Sequence, residues 1–264
     1  MGFKEGDFVL IEYTVRVKET GNIVDTTNEE IARKENIYDP NRVYGPTLIV
    51  IGRKWINPVV EEEIAKSDIG AEITVEVPPE KAFGRRDPSK VKVFSLREFR
   101  RRGIDVSVGE VIDFGGVKGV VKSISGGRVV VDFNHPLADK TLVYTVKIVA
   151  KLEDLVDKVK ALATRHLSIP SEELSIESRG DGEIVITIPS KYITKAGLQY
   201  GKVSLATDIL ELLGDSVNTV TFVERIVKKT EKKEIEKPEK EVETNKPSSE
   251  ETSESGVESV EAKG

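Results

Sequence analysis

Hydrophobic and polar positions change their spacing several times along the chain, and each change predicts an element. Residues 7–17, DFVLIEYTVRV, are rich in β-branched and aromatic side chains and predict a strand. KETGNIVDTT then turns at Gly21-Asn22 into a second strand ending at Asp25, so the two predict a hairpin. Residues 26–47 form a long connection with room for one helical turn before Pro40 and Pro46, and long connections that stay ordered often carry function. WINPVVEEEIAKSDIG opens a helix, with Asn57 as N-cap, Pro58 at the first helical position and Glu61, Glu62 and Glu63 near its positive end. The helix stops by Gly70, and AEITVEVP predicts a strand.

After Gly84 the pattern shortens. The stretch to Asn134 holds short strands, a capping box from Ser95 to Glu98 and a tight turn over Ser125-Gly126-Gly127-Arg128, enough for a small β-rich unit. TLVYTVKIVAKL, residues 141–152, is a strong strand that the first unit needs to close its sheet, so the β-rich unit reads as an insertion. Asn134-His135-Pro136 lies where the chain returns, which makes His135 a junction residue with local hydrogen bonds. From Glu153 an αββαβ pattern follows. It comprises the helix EDLVDKVKALATRHL, a hairpin through Gly180-Asp181-Gly182, the helix KVSLATDILELLG and the strand VNTVTFVERIV. His166 falls in the last turn of the first of these helices, where the helix dipole favours a cation, and is expected to be structural.

Composition narrows the function classes. With 264 residues, 38% hydrophobic and 33% charged, the chain suits two or three small cores rather than one large one. Residues 229–264 lack aromatic side chains and mix Lys, Glu, Ser and Pro, so a disordered tail is expected, either solubilising or tethering a large partner electrostatically. No run of about 18 apolar residues occurs and the start is charged, so neither a membrane span nor a signal peptide is expected and the cytoplasm is the default address. The absence of cysteine excludes disulfides, thiol nucleophiles and cysteine metal sites, and two distant histidines do not make an ordinary zinc site. A net charge of −6 argues against nucleic acid as the main partner.

The residues also lack a nucleophile paired with a base, a phosphate loop or a metal cluster; IGRK and FGGVKG are glycines outside a nucleotide-binding setting. What remains is a small antiparallel sheet, one helix and aromatic residues at strand ends. This is either a binding module or an enzyme that needs only a shaped apolar pocket.

YTVRVKETGNIVDTT, VEVPPEKAFGRRDPSK and DFNHPLADKTLVYTVKIVAKLE, in that order and spacing, resemble an FKBP-type peptidyl-prolyl cis-trans isomerase. The likeness covers residues 1 to about 228 and extends to the long archaeal form, with a SlyD-like chaperone domain inserted in the flap and an extra C-terminal domain. It implies an α+β protein, with an antiparallel FKBP sheet wrapped on one short helix. The implied isomerase domain is residues 1–85 with 138–153, the inserted domain 86–137, the αββαβ domain 154–228 and the tail 229–264.

By this resemblance Tyr13 and Asp25 are the paired hydroxyl and carboxylate at the pocket wall, and Asp25 faces the carbonyl carbon of the bound X-Pro bond. Ile56 and Asn57 are the edge whose backbone amide receives the substrate carbonyl, and Val60 is the floor. Phe83 stands where a hydrogen-bonding tyrosine is common; Tyr144 packs on the proline ring, with Leu142 on the same strand face. Three positions depart from the pattern: Val59 replaces a common glycine, Val60 is a small floor and Phe83 lacks the hydroxyl. A non-catalytic holdase on the same fold is the alternative they raise.

The resemblance further implies unfolded or proline-containing polypeptides as partners, no cofactor, and an inserted domain that holds clients near the pocket. Val91, Val93, Phe94, Phe99, Ile104 and Val106 either line its groove or form its core. Ribosome or chaperone partners and a homodimer through the C-terminal domain are further expectations, without nucleic acid or membrane. Without a histidine-rich tail, no tight nickel or zinc site is expected.

Overall fold

The computed structural model describes residues 2–226. The expected tail, 229–264, lies outside them. The first sheet is built from β1 (Phe8–Val17), β2 (Ile23–Thr26), β3 (Thr47–Val50), β4 (Glu72–Val77) and β9 (Leu142–Leu152), in the order β2-β1-β9-β4 with β3 also on β1; every pairing is antiparallel. One edge of β1 is shared, since Phe8 to Ile11 pair with β3 and Thr14 to Arg16 with β2. The short helix α1 (Glu29–Lys34) lies in the long connection, and α2 (Pro58–Ala65) packs on the sheet.

Strand β3 was not expected from the sequence. TLIV and the start of β1 are apolar without alternation because both faces of this corner are covered. Val9, Ile11 and Ile49 join the core beneath α2, whereas Phe8, Leu48 and Val50 join a second core with the C-terminal helices. Val60 and Ile64 of α2 are fully buried in the first core. Asn57 caps α2 as expected, accepting the Val59 N–H at 3.0 Å.

The second sheet has the order β5-β8-β7-β6, from β5 (Val91–Ser95), β6 (Val111–Asp113), β7 (Lys118–Ser125) and β8 (Arg128–Asp132). Helix α3 (Leu96–Arg101) follows β5. Gly126 and Gly127, both with left-handed φ (55° and 73°), make the two-residue turn between β7 and β8. Ser95 caps α3 through the Arg97 N–H at 3.3 Å, not through Glu98 as a capping box requires. The core is Phe99, Ile112, Val121, Val129 and Val131, with Phe94, Phe114 and Phe133 packed on it. Of the six apolar residues expected here as groove or core, Phe99 is core, Phe94, Ile104 and Val106 pack against it, Val91 is half-buried and Val93 is exposed.

The third unit follows β9: α4 (Leu155–Leu167), β10 (Ser175–Arg179), β11 (Glu183–Ile188), α5 (Leu198–Leu212) and β12 (Thr219–Glu224). Its sheet pairs β10 with β11 antiparallel and β11 with β12 parallel. Helix α5 begins at Leu198, four residues before the segment expected from the pattern. Gly201 obscured that first turn. A Cβ there would lie 2.6 Å from the His166 carbonyl oxygen, so the glycine lets α5 approach the end of α4.

Candidate functional site

Three strands bring the expected wall residues into one row. Val15 of β1 lies opposite Asp25 of β2 and opposite Tyr144 of β9, and opposed residues share a sheet face. Tyr13, two residues before Val15, is on that face too. The Tyr13 hydroxyl donates to Asp25 Oδ2 at 2.8 Å. Arg42 closes the arrangement, donating from Nη1 to Asp25 Oδ1 at 2.5 Å and from Nη2 to Tyr13 Oη at 3.1 Å.

The long connection carries Arg42 to this wall. Its start is fixed by Thr27, whose side chain accepts the Tyr13 N–H at 2.9 Å and whose N–H donates to the Tyr13 carbonyl at 2.9 Å. Further on, the Tyr38 and Tyr44 rings stack 5.4 Å apart, and the Arg33 guanidinium of α1 lies 3.7 Å from the Tyr38 centroid. Sequence reading missed Arg42; its only signal was a long connection that stayed ordered.

The electrostatics follow from this contact set. Burial, and then the Asp25 charge, push the Tyr13 pKa up to about 12, so the hydroxyl stays a donor. Burial alone would lower the Arg42 pKa, but the hydrogen bonds and charges of Asp25 and Tyr13 together outweigh it and the value is raised. Burial and the Asp25 charge also raise Tyr144. The carboxylate is therefore held between a neutral donor and a cation.

Tyr13, Ile56, Val59 and Tyr144 pack around the core that contains Val60 and Leu142. Val60 and Leu142 are themselves covered, at 0% and 1% exposure, and support the wall from beneath. Asn57 donates from Nδ2 to the Lys81 carbonyl at 2.7 Å, joining the start of α2 to the turn before Phe83. Glu61, also missed, spans the preceding segment: it accepts the Gly52 N–H at 3.0 Å and the Lys54 N–H at 2.9 Å. Its position between Val60 and Ile64, on the buried helix face, was the available signal.

Phe83 goes elsewhere. It is 45% exposed, and its ring stacks on His135 with centroids 4.0 Å apart and planes within 4°. His135 Nδ1 accepts the Leu137 N–H at 3.2 Å. Beside this pair, the outgoing and returning segments of the second sheet are tied together. Asn134 accepts the Asp87 N–H at 2.8 Å and donates to the Asp87 carbonyl at 3.0 Å, while Arg86 pairs with the buried Asp132. Farther out, a cavity of about 120 Å³ opens between Phe94, Phe99, Ile104, Ile112 and Phe114, and Val93, Val108, Val111 and Val117 are exposed.

Among the described residues no group of three or more His, Asp or Glu side chains is placed to hold a metal ion, and no helix is long and apolar enough to cross a membrane. The wall offers fixed charge, hydrogen bonds and aromatic surface without a nucleophile.

Family models of the FKBP26 IF domain and the FKBP26 C-terminal region match residues 92–137 and 155–227. A short-type peptidyl-prolyl cis-trans isomerase of Methanocaldococcus jannaschii is 32% identical over 145 residues, 55% of this chain and 91% of that protein. A probable FKBP-type 16 kDa peptidyl-prolyl cis-trans isomerase of Pseudomonas fluorescens is 30% identical, over 53% of this chain and 86% of that one. The SlyD isomerase of Helicobacter pylori is 28% identical over 60% and 78%. The chain belongs to the FKBP-type peptidyl-prolyl cis-trans isomerase family.

Proposed function

We propose that the protein is a cytoplasmic peptidyl-prolyl cis-trans isomerase and folding chaperone acting on unfolded or proline-containing polypeptides. The observation that carries this reading is the Asp25 carboxylate fixed by Tyr13 and Arg42 and set across β1 from Tyr144. X-Pro isomerisation breaks no covalent bond; its barrier of about 18–20 kcal/mol is amide resonance lost on twisting. A site that binds the twisted amide better than either planar form lowers that barrier with no acid, base or cofactor.

In this reading Tyr144 packs on the proline ring while Asp25, held by Tyr13 and Arg42, faces the carbonyl carbon of the X-Pro bond. The Asn57 amide receives a substrate carbonyl at the Ile56 edge, and Val60 and Leu142 support the floor. Phe83 would meet substrate only by leaving its stack on His135. An apolar wall takes the carbonyl out of water, which stabilises the charge-separated planar amide more than the twisted one.

The domain assignment goes with the function: residues 1–85 and 138–153 form the isomerase, 86–137 the inserted chaperone domain and 154–228 the C-terminal domain. The aromatic cavity and exposed valines of the second sheet support client binding, which raises the local concentration of proline segments. Ribosome or chaperone partners, and a homodimer through the C-terminal domain, remain part of this proposal.

A second reading, a holdase with a silent pocket, is favoured by Phe83 lying on His135. Cis-to-trans isomerisation of a short X-Pro peptide separates the two. Catalysis that Asp25→Ala abolishes supports the isomerase; no catalysis with aggregation of a client still suppressed supports the holdase.

A further inference from the structure

Residues 52–57 connect β3 to α2 and carry Ile56 and Asn57. The segment is irregular, with left-handed φ at Gly52 (92°) and at Lys54 (55°). A non-glycine residue in that region persists only where its surroundings over-determine it. Glu61 supplies one restraint by binding the Gly52 and Lys54 amides from within. The other restraint comes from outside the isomerase sheet.

Arg53 Nη2 donates to Asp208 Oδ1 at 2.9 Å and to Glu211 Oε2 at 2.6 Å, two residues one turn apart on α5. The second Asp208 oxygen lies 2.7 Å from His166 Nε2 at the end of α4. The His166 ring meets Trp55 edge-on, with centroids 6.3 Å apart and planes at 87°, and the Arg165 guanidinium lies 4.2 Å from the Trp55 centroid. Asp208 and His166 side chains are only 15% and 18% exposed, so salt screens this network less than a surface pair. Gly201 seats α5 against the His166 carbonyl, which fixes the two helices against each other. Arg53 and Trp55 are thus gripped by α4 and α5 immediately before the pocket edge.

We propose that α4 and α5 clamp the 52–57 segment in its pocket-forming conformation, making Arg53, Asp208 and His166 positioning residues for the isomerase reaction. The inference rests on the isomerase reading above. Its logic is geometric: a small displacement of a binding edge is expensive in rate even when the perturbing residue never touches substrate. Trp55 is the single tryptophan of the chain, so its emission reports the clamp directly.

The test uses the full chain with Arg53→Ala, Asp208→Ala and their double variant, assayed on a short X-Pro peptide with Trp55 emission recorded. Each single variant is expected to lower kcat/KM by about tenfold, mainly through KM, with the emission shifted to the red. The double variant is expected to lose less than the sum of the two single ones, because the Arg53–Asp208 contact is removed in both. Arg53→Lys keeps the charge but gives up the planar, longer-reaching guanidinium; it should fall between, and it decides the matter if the alanine variants fail to fold. An active intact chain whose variants keep its kcat/KM and KM would overturn the clamp alone, whatever Trp55 does. A silent intact chain would overturn the isomerase reading and the clamp with it.

Discussion

Arg42 reaches back across the long connection to bind Asp25 Oδ1 at 2.5 Å, the carboxylate oxygen that the Tyr13 hydroxyl does not take. Without the guanidinium, a partly buried carboxylate would keep one donor and be free to turn out of the wall. A hydrogen bond to a charged group contributes about 1.5–3 kcal/mol. If that orientation is used in the transition state, Arg42→Ala should lower kcat/KM by about 10- to 100-fold. Steady-state assay of a short X-Pro peptide checks this, and an unchanged value would remove Arg42 from the site.

Tyr13 predicts an alkaline limb. Its folded pKa is raised to about 12, above the ordinary value of 10, so the native state holds its proton where the unfolded chain has lost it. The stabilisation is therefore fully present below about pH 10 and is lost as pH rises through about 12. Urea unfolding from pH 9 upward should show wild-type stability falling more steeply than that of Tyr13→Phe, by up to roughly 2–3 kcal/mol across the window. Parallel curves would contradict the burial of the Tyr13 hydroxyl beside Asp25.

The Phe83–His135 stack has a functional test. Phe83→Tyr restores the hydroxyl common in the family at a position whose ring is engaged elsewhere. If the ring swings in to meet substrate, kcat/KM should rise by about 2- to 10-fold, the worth of one neutral hydrogen bond. No change would mean that the ring stays on His135 throughout turnover.

Gly119 provides a way to damage the inserted unit alone. A Cβ there would sit 2.5 Å from Val131 Cγ1 and 2.8 Å from Phe133 Cε1, inside the small aromatic core. Gly119→Ala should destabilise that core by about 1–3 kcal/mol. Hydrogen exchange should accelerate in residues 91–132 and not in β1 or β9, with client protection lost and short-peptide isomerisation kept. Uniform acceleration would mean that the unit does not open independently.

Much of the architecture was legible because its signals are local. Strands β1, β2, β4 and β9 announce themselves by β-branched content, α2 by Asn57-Pro58, and the turn between β7 and β8 by its paired glycines. Strand β3 was not legible because covering on both faces erased its alternation, and the first turn of α5 was hidden by a glycine required for close helix contact. At the site, Tyr13, Asp25 and Tyr144 were reachable through motif resemblance, and the register brings them together. Arg42, Glu61 and the Arg53–Asp208 pair were not, because each works through a partner distant in sequence or through an amide, and no local pattern records such contacts.

The central claim is a working pocket supplied with clients by the inserted domain. The most direct test is catalysis of proline-limited refolding of a model protein by the intact chain, by Asp25→Ala and by a variant with residues 86–136 replaced by a short loop. The account predicts acceleration by the intact chain that is lost in both variants, while the loop variant still isomerises a short X-Pro peptide. Suppressed aggregation without any acceleration by the intact chain would contradict it and leave a holdase on an isomerase fold.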